Sequence, residues 1–98
     1  MVTNAITDAM LEAAIDDLGD QFDSHDVIRK VSSLNQRDYI AELHAQTSNT
    51  PFQSVHARIG KRILIIAKTK NFDDAEDWSP NIFGSVSECR LYTKKIAT

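Results

Sequence analysis

Between Thr50 and Ile63 the chain spells out a helix from its cap inward: Thr50-Pro51-Phe52-Gln53-Ser54-Val55-His56-Ala57-Arg58-Ile59-Gly60-Lys61-Arg62-Ile63. A threonine hydroxyl is a good acceptor for a free first-turn N–H. Proline suits the first helical position, where its missing N–H costs nothing. Gln53 stands three residues after Thr50, the spacing of a capping box. Phe52, Val55, Ile59 and Ile63 recur at steps of three and four and predict a buried face. The opposite side carries Gln53, Ser54, Ala57, Arg58 and Lys61, polar or small and without an acid. Small residues let a helix approach a nucleic-acid groove, Arg and Lys pair with phosphate or guanine, and Gln can bond adenine. A solvated face on an ordinary amphipathic helix is the simpler alternative.

Charge is segregated along the 98 residues although the net value is only −3. Residues 1–26 hold seven acids and no Lys or Arg; residues 27–70 hold eight bases against two acids; residues 71–98 hold five acids and three bases. A basic surface facing an anionic partner, with an acidic surface elsewhere, is the expectation such segregation raises. The length and a 42% hydrophobic content suit one small domain, taken as residues 1–98. Cys89 is the lone cysteine, which rules out an intrachain disulfide and a thiol-rich zinc site; it is expected as a small buried residue. Neither a signal peptide nor a membrane span is legible, so a cytoplasmic setting is expected.

Along the chain, Thr3 or Asn4 can cap a first helix striped by Ile6, Met10, Ala14, Ile15 and Leu18 and ended by Gly19. Its outward acids are expected to be solvated. Gln21-Phe22-Asp23 reads as a short strand with Phe22 inward. Asp23 or Ser24 caps a second helix carrying Val27, Ile28 and Val31, broken at 32–35, and Asn35 caps another with Tyr39, Ile40 and Leu43 inward, running to about Gln46. The run Ile63-Leu64-Ile65-Ile66-Ala67 is ambiguous by periodicity; its β-branched content favours a helix ending near residues 60–64, then a strand to about Thr69 or Phe72. Residues 71–84 read as a loop with acids at its tip, and 85–96 as a second strand anchored by Val86, Leu91 and Tyr92. Trp78 in that loop is expected to cover one end of the core, or else to anchor a partner.

This order predicts a mostly helical α+β fold, a winged helix in which the Thr50 helix is the recognition helix and the hairpin is the wing. The stretch Ser48 to Ile59 resembles the start of the third helix of HARE-HTH winged-helix domains: Thr50 and Pro51 match the cap, Val55 the apolar position, and Ala57-Arg58-Ile59 the triplet. The resemblance implies a nucleic-acid-binding or polymerase-associated module rather than a catalyst. An acidic wing departs from that pattern and would repel phosphate.

The function expected on these grounds is binding of double-stranded DNA in transcription regulation. Gln53, Ser54, Ala57, Arg58 and Lys61 would face the groove. His56, Arg62, Lys68 and Lys70 would neutralise flanking phosphates, with Arg29, Lys30 and Arg37 as outlying candidates. A homodimer would read two half-sites about one helical turn apart. The alternative is a protein-interaction module engaging its partner through the acidic first helix or the Trp78 loop; a third reading is a specificity domain detached from a larger nuclease. No enzymatic activity, cofactor or metal is expected: His25, His44 and His56 lack metal-ligand spacing, and P-loop, G-x-S-x-G, calcium-loop and dinucleotide signatures are missing. His25 is expected on the surface and His44 partly buried.

Overall fold

The computed structural model describes residues 5–95, so Thr3, Asn4 and Ile96 lie outside it. Helix α1 spans Asp8–Leu18 and starts one turn later than Thr3 or Asn4 would dictate. Thr7 is its N-cap, accepting from the Met10 N–H at 3.2 Å. Gly19 ends it at φ 87°, a left-handed value that glycine adopts without strain. Strand β1 (Gln21–Asp23) leads directly into α2 (Ser24–Leu34). Asp23 and Asp26 cap this turn reciprocally, each carboxylate accepting the other's backbone N–H at 2.8–2.9 Å. Residues 32–34 do not break α2; the chain turns only at Asn35, whose side-chain amide donates to the Val31 carbonyl instead of capping the next helix. That helix, α3, covers Gln36–His44 and buries Tyr39 but leaves Ile40 exposed, contrary to its expected inward position.

The ambiguous 63–67 run is helical. Helix α4 is continuous from Pro51 to Thr69, with Val55, Ile59, Ile63, Ile66 and Ala67 buried along one stripe. A strand would have buried Ile63, Ile65 and Ala67 together; here Ile65 is 65% exposed while Ile66 is buried. Burial of one face at helical spacing therefore outweighs the β preference of the isoleucines. The expected capping box at the start of α4 does not form: Thr50 holds the N-cap position without a side-chain bond, and Pro51 alone matches the N-terminal signature. Phe52 is half out of the core instead of inside it.

The segment read as a loop is mostly strand. β2 runs Phe72–Pro80, the five residues Asn81–Ser85 turn, and β3 runs Val86–Lys94. β3 lies at the centre of an antiparallel sheet ordered β1-β3-β2, with Phe22 opposite Tyr92 and Phe72 opposite Lys94. Phe22, Phe72 and Tyr92 pack with ring centroids 5.1–5.5 Å apart and close the sheet onto the helices. The acids expected at the tip lie along β2, and the turn itself is uncharged. Trp78 does not cover the core: it stands on β2, 65% exposed, and Val86 is exposed as well. Among the described residues no helix is long and apolar enough to cross a membrane.

The register of α4 has a direct test. Ile63→Ala should cost about 2–5 kcal/mol, the range for a large-to-small change in a core. Ile65→Ala should stay within about 0.5 kcal/mol, as surface changes do. Urea unfolding of both variants checks the pair, and a strand over 63–67 would make the two costs similar.

Candidate functional site between α4 and the hairpin

The α4 surface predicted to face a ligand is largely engaged by the protein itself. Arg58 Nη2 donates to Glu42 Oε2 at 3.0 Å, and Glu42, on α3, is only 2% exposed. The other Glu42 oxygen accepts the Ile6 N–H at 3.0 Å. A carboxylate this buried needs such partners, because removal from water disfavours its charge. The Arg58 Nε is buried with no partner of its own. Arg62 bonds Asp8 at 2.9 Å and the Ile6 carbonyl at 2.7 Å. Lys70 pairs with Asp16, and Lys68 reaches Asp74 at 3.9 Å. The acids of α1 are thus partly neutralised by α4 and by Lys30, which pairs with Asp17, rather than simply solvated. Arg29 binds Asp26 and donates to the carbonyls of Pro80 and Asn81, which ties the hairpin to α2. Among the described residues only Arg37, Lys61 and Lys94 make no ion pair. Of the predicted contact residues, Gln53, Ala57, Lys61 and Lys68 remain exposed, whereas Ser54 is half-buried with its hydroxyl 2.8 Å from that of Ser48.

His56 is also a brace. Its Nε2 lies 2.6 Å from the Tyr39 hydroxyl and the two rings stack at 5.9 Å, joining α3 to α4. Burial lowers the His56 pKa and the nearby His25 lowers it further, while burial raises that of Tyr39. The neutral pair, with the phenol donating to the imidazole, is therefore the favoured state.

What these braces leave open is a groove of about 490 Å³ between α4 and the hairpin. Ala57 and Gly60 contribute its helix wall, and Phe52, Ile82 and Phe83 its apolar rim. Phe52 and Phe83 meet edge-on at 4.8 Å, and both remain substantially exposed. Asn81 builds the turn that carries Phe83: its side-chain oxygen accepts from the N–H groups of Phe83 and Ser85, and Gly84 takes φ 84°. A Cβ added at Gly60 would meet no atom within 4 Å, so the fold of this chain does not itself demand glycine there. A mid-helix glycine nonetheless costs up to about 1 kcal/mol relative to alanine. A second, shallower groove of about 310 Å³ continues along α4 past Lys61 to Tyr92. Burial first and Asp74 second push the Tyr92 hydroxyl up to about 12, Arg90 opposing, and it is buried with no partner.

Beneath the hairpin lies a polar cluster. His25 is buried, not on the surface, whereas His44 is exposed rather than partly buried. His25 Nδ1 is 2.9 Å from the Ser79 hydroxyl and Nε2 is 3.3 Å from that of Ser87. Ser79 also lies 3.5 Å from the Cys89 sulfur. Cys89 is buried as expected. Burial raises its thiol pKa; a hydrogen bond with Ser79 opposes that shift, and Asp23, Asp77 and Asp26 each add a lesser upward push. An activated nucleophile needs the opposite shift. No local pattern marks this cluster, since His25 and Cys89 stand far apart along the chain. For the rim there is a local signal, the turn-forming residue types Asn81 and Gly84.

Comparison with family models, curated proteins and solved structures gave no match for this chain.

Two changes test the braces. Arg58→Ala should destabilise by about 2–3 kcal/mol, below the roughly 3–5 of a fully buried pair because the Arg58 side chain is partly exposed. Equilibrium unfolding in urea measures it. For His56, the folded pKa lies below the ordinary 6.5. The unfolded chain therefore takes up the proton first as pH falls, so this contribution is complete above about 6.5 and is lost from there down to the folded pKa. Stability measured from about pH 7.5 to about pH 6 should fall, and His56→Gln should flatten that part of the profile.

Proposed function

We propose that this domain is a winged helix used as a protein-interaction module, receiving a partner polypeptide between α4 and the hairpin. The observation that carries the reading is the groove itself, with its small Ala57 and Gly60 wall and exposed Phe52 and Phe83 rim. Aromatic side chains on a small-residue surface supply contact area at low entropic cost. The sheet order β1-β3-β2 and the position of α4 beside the hairpin support the winged-helix assignment. The arrangement is read as non-catalytic, because the buried thiol is held protonated and the paired polar groups of α4 brace the fold. A free, buried Cys89 suits a reducing compartment such as the cytoplasm.

Double-stranded DNA binding, with a role in transcription, is the second reading. In its favour, Gln53, Ala57 and Lys61 form an exposed row on α4. Against it, phosphate binding draws on several unengaged cations. Most bases near α4 already face acids, Glu88 of β3 lines the groove, and β2 carries Asp73, Asp74, Glu76 and Asp77.

Panning a random peptide library on the purified domain tests the first reading. Selected peptides should bind wild type and lose at least about tenfold in affinity, or ~1.4 kcal/mol, on Phe83→Ala. Peptides indifferent to Phe83 and Gly60 would reject this groove. Fluorescence anisotropy with random duplex DNA tests the second. Salt-sensitive binding lost on Lys61→Glu would move the assignment to DNA, and no binding at low salt is the outcome expected here.

A further inference from the structure

The direct passage from β1 into α2 brings two ligand-type side chains level with a third on β3. Asp23 pairs in register with Leu91, and the next residue, Ser24, accepts the Arg90 N–H through its hydroxyl at 3.1 Å. This lacing sets His25 against Cys89. One ligand atom from each of Asp23, His25 and Cys89 lies within 4.8 Å of the others. His25 and Cys89 are both more than nine-tenths buried, and Asp23 is half-buried.

We propose that Asp23, His25 and Cys89 form a binding site for a divalent transition-metal ion of the zinc class. The ligand set of carboxylate, imidazole and thiolate suits a borderline-soft ion, and three protein ligands leave a fourth position for water or the Ser79 hydroxyl. Zinc bonds of ~2.0–2.3 Å place tetrahedral ligand atoms ~3.3–3.7 Å apart, so these side chains need to close by about an ångström. Each has capacity for the bond. One oxygen of Asp23 accepts from Asp26 N–H, leaving the other free. The Nδ1 edge of His25 is the one directed at Ser79, the hydroxyl that also touches Cys89. Nε2 then keeps its hydrogen on Ser87 at 3.3 Å, the outer partner that orients a ligating imidazole. The ion would displace the thiol proton to solvent on binding. It would clamp the start of α2 to the hairpin.

Cobalt(II) titration of the chelator-treated protein tests this, since a thiolate–cobalt charge-transfer band reports Cys89 directly. We expect one cobalt per chain with that band, displacement by zinc, and a higher urea midpoint with zinc present. Cys89→Ser should abolish the band. Because that change touches the core, Asp23→Asn is the second variant: asparagine keeps the N-cap while weakening metal binding. Ser87→Ala should weaken binding by ~10–100-fold, as loss of an outer partner does, and His44→Ala should change nothing. A folded wild type that develops no thiolate band in excess cobalt overturns the site. So does binding of equal strength in Asp23→Asn, which would assign the ion to other residues.

Discussion

A carboxylate that is almost wholly out of water, Glu42, sets the arrangement of the helices. Burying such a group is costly unless its oxygens are met, and they are met by the Ile6 N–H and by Arg58. Those two bonds join the segment entering α1, the last turn of α3 and the third turn of α4. They also fix the rotation of α4 about its axis. With Arg58 held toward α3 and Arg62 toward α1, the small residues Ala57 and Gly60 turn to the hairpin, and the groove follows. The Tyr39–His56 contact adds a second brace between the same helices, about one turn earlier on α3 and two residues earlier on α4.

The resemblance noted between Ser48 and Ile59 takes on a physical meaning in this setting. The Ala-Arg-aliphatic triplet, with the histidine before it, works as a packing device: His56 and Arg58 hold α3, Ile59 enters the core, and Ala57 stays outside. Basic residues on one helix face look alike in sequence whether they await phosphate or are answered by acids from elsewhere in the fold. The segregated charge of the chain has the same explanation. The acid-rich first helix and the base-rich fourth are distant in sequence but adjacent in space, through Arg62–Asp8 and Lys70–Asp16.

Local physics was legible and long-range physics was not. The Gly19 stop, the Asp23 cap, inward Phe22, and buried Val27, Ile28, Val31, Val55, Ile59 and Ile63 all follow from spacing and capping chemistry. The element order from α1 through α3 was legible too. The extension of α4 to Thr69 was not, because a run of β-branched residues has no period of its own and only the neighbouring sheet decides which face is buried. β2 was hidden for a related reason: Phe-Asp-Asp-Ala-Glu-Asp-Trp has loop-like composition, and its pairing with β3 supplies the strand. His25 looked like a surface residue because its partners, Ser79 and Ser87, come from the hairpin.

β2 is the outer strand of its sheet, with one row of backbone amides and carbonyls not taken up by β3. Such an edge is a template on which another copy's strand can add, the first step toward fibrous aggregation. Asp73, Asp74, Glu76 and Asp77 change that outcome. Two copies laid edge to edge would bring these carboxylates together, and the repulsion would grow with each added strand. The composition that disguised β2 as a loop thus also opposes the addition of strands to its open edge.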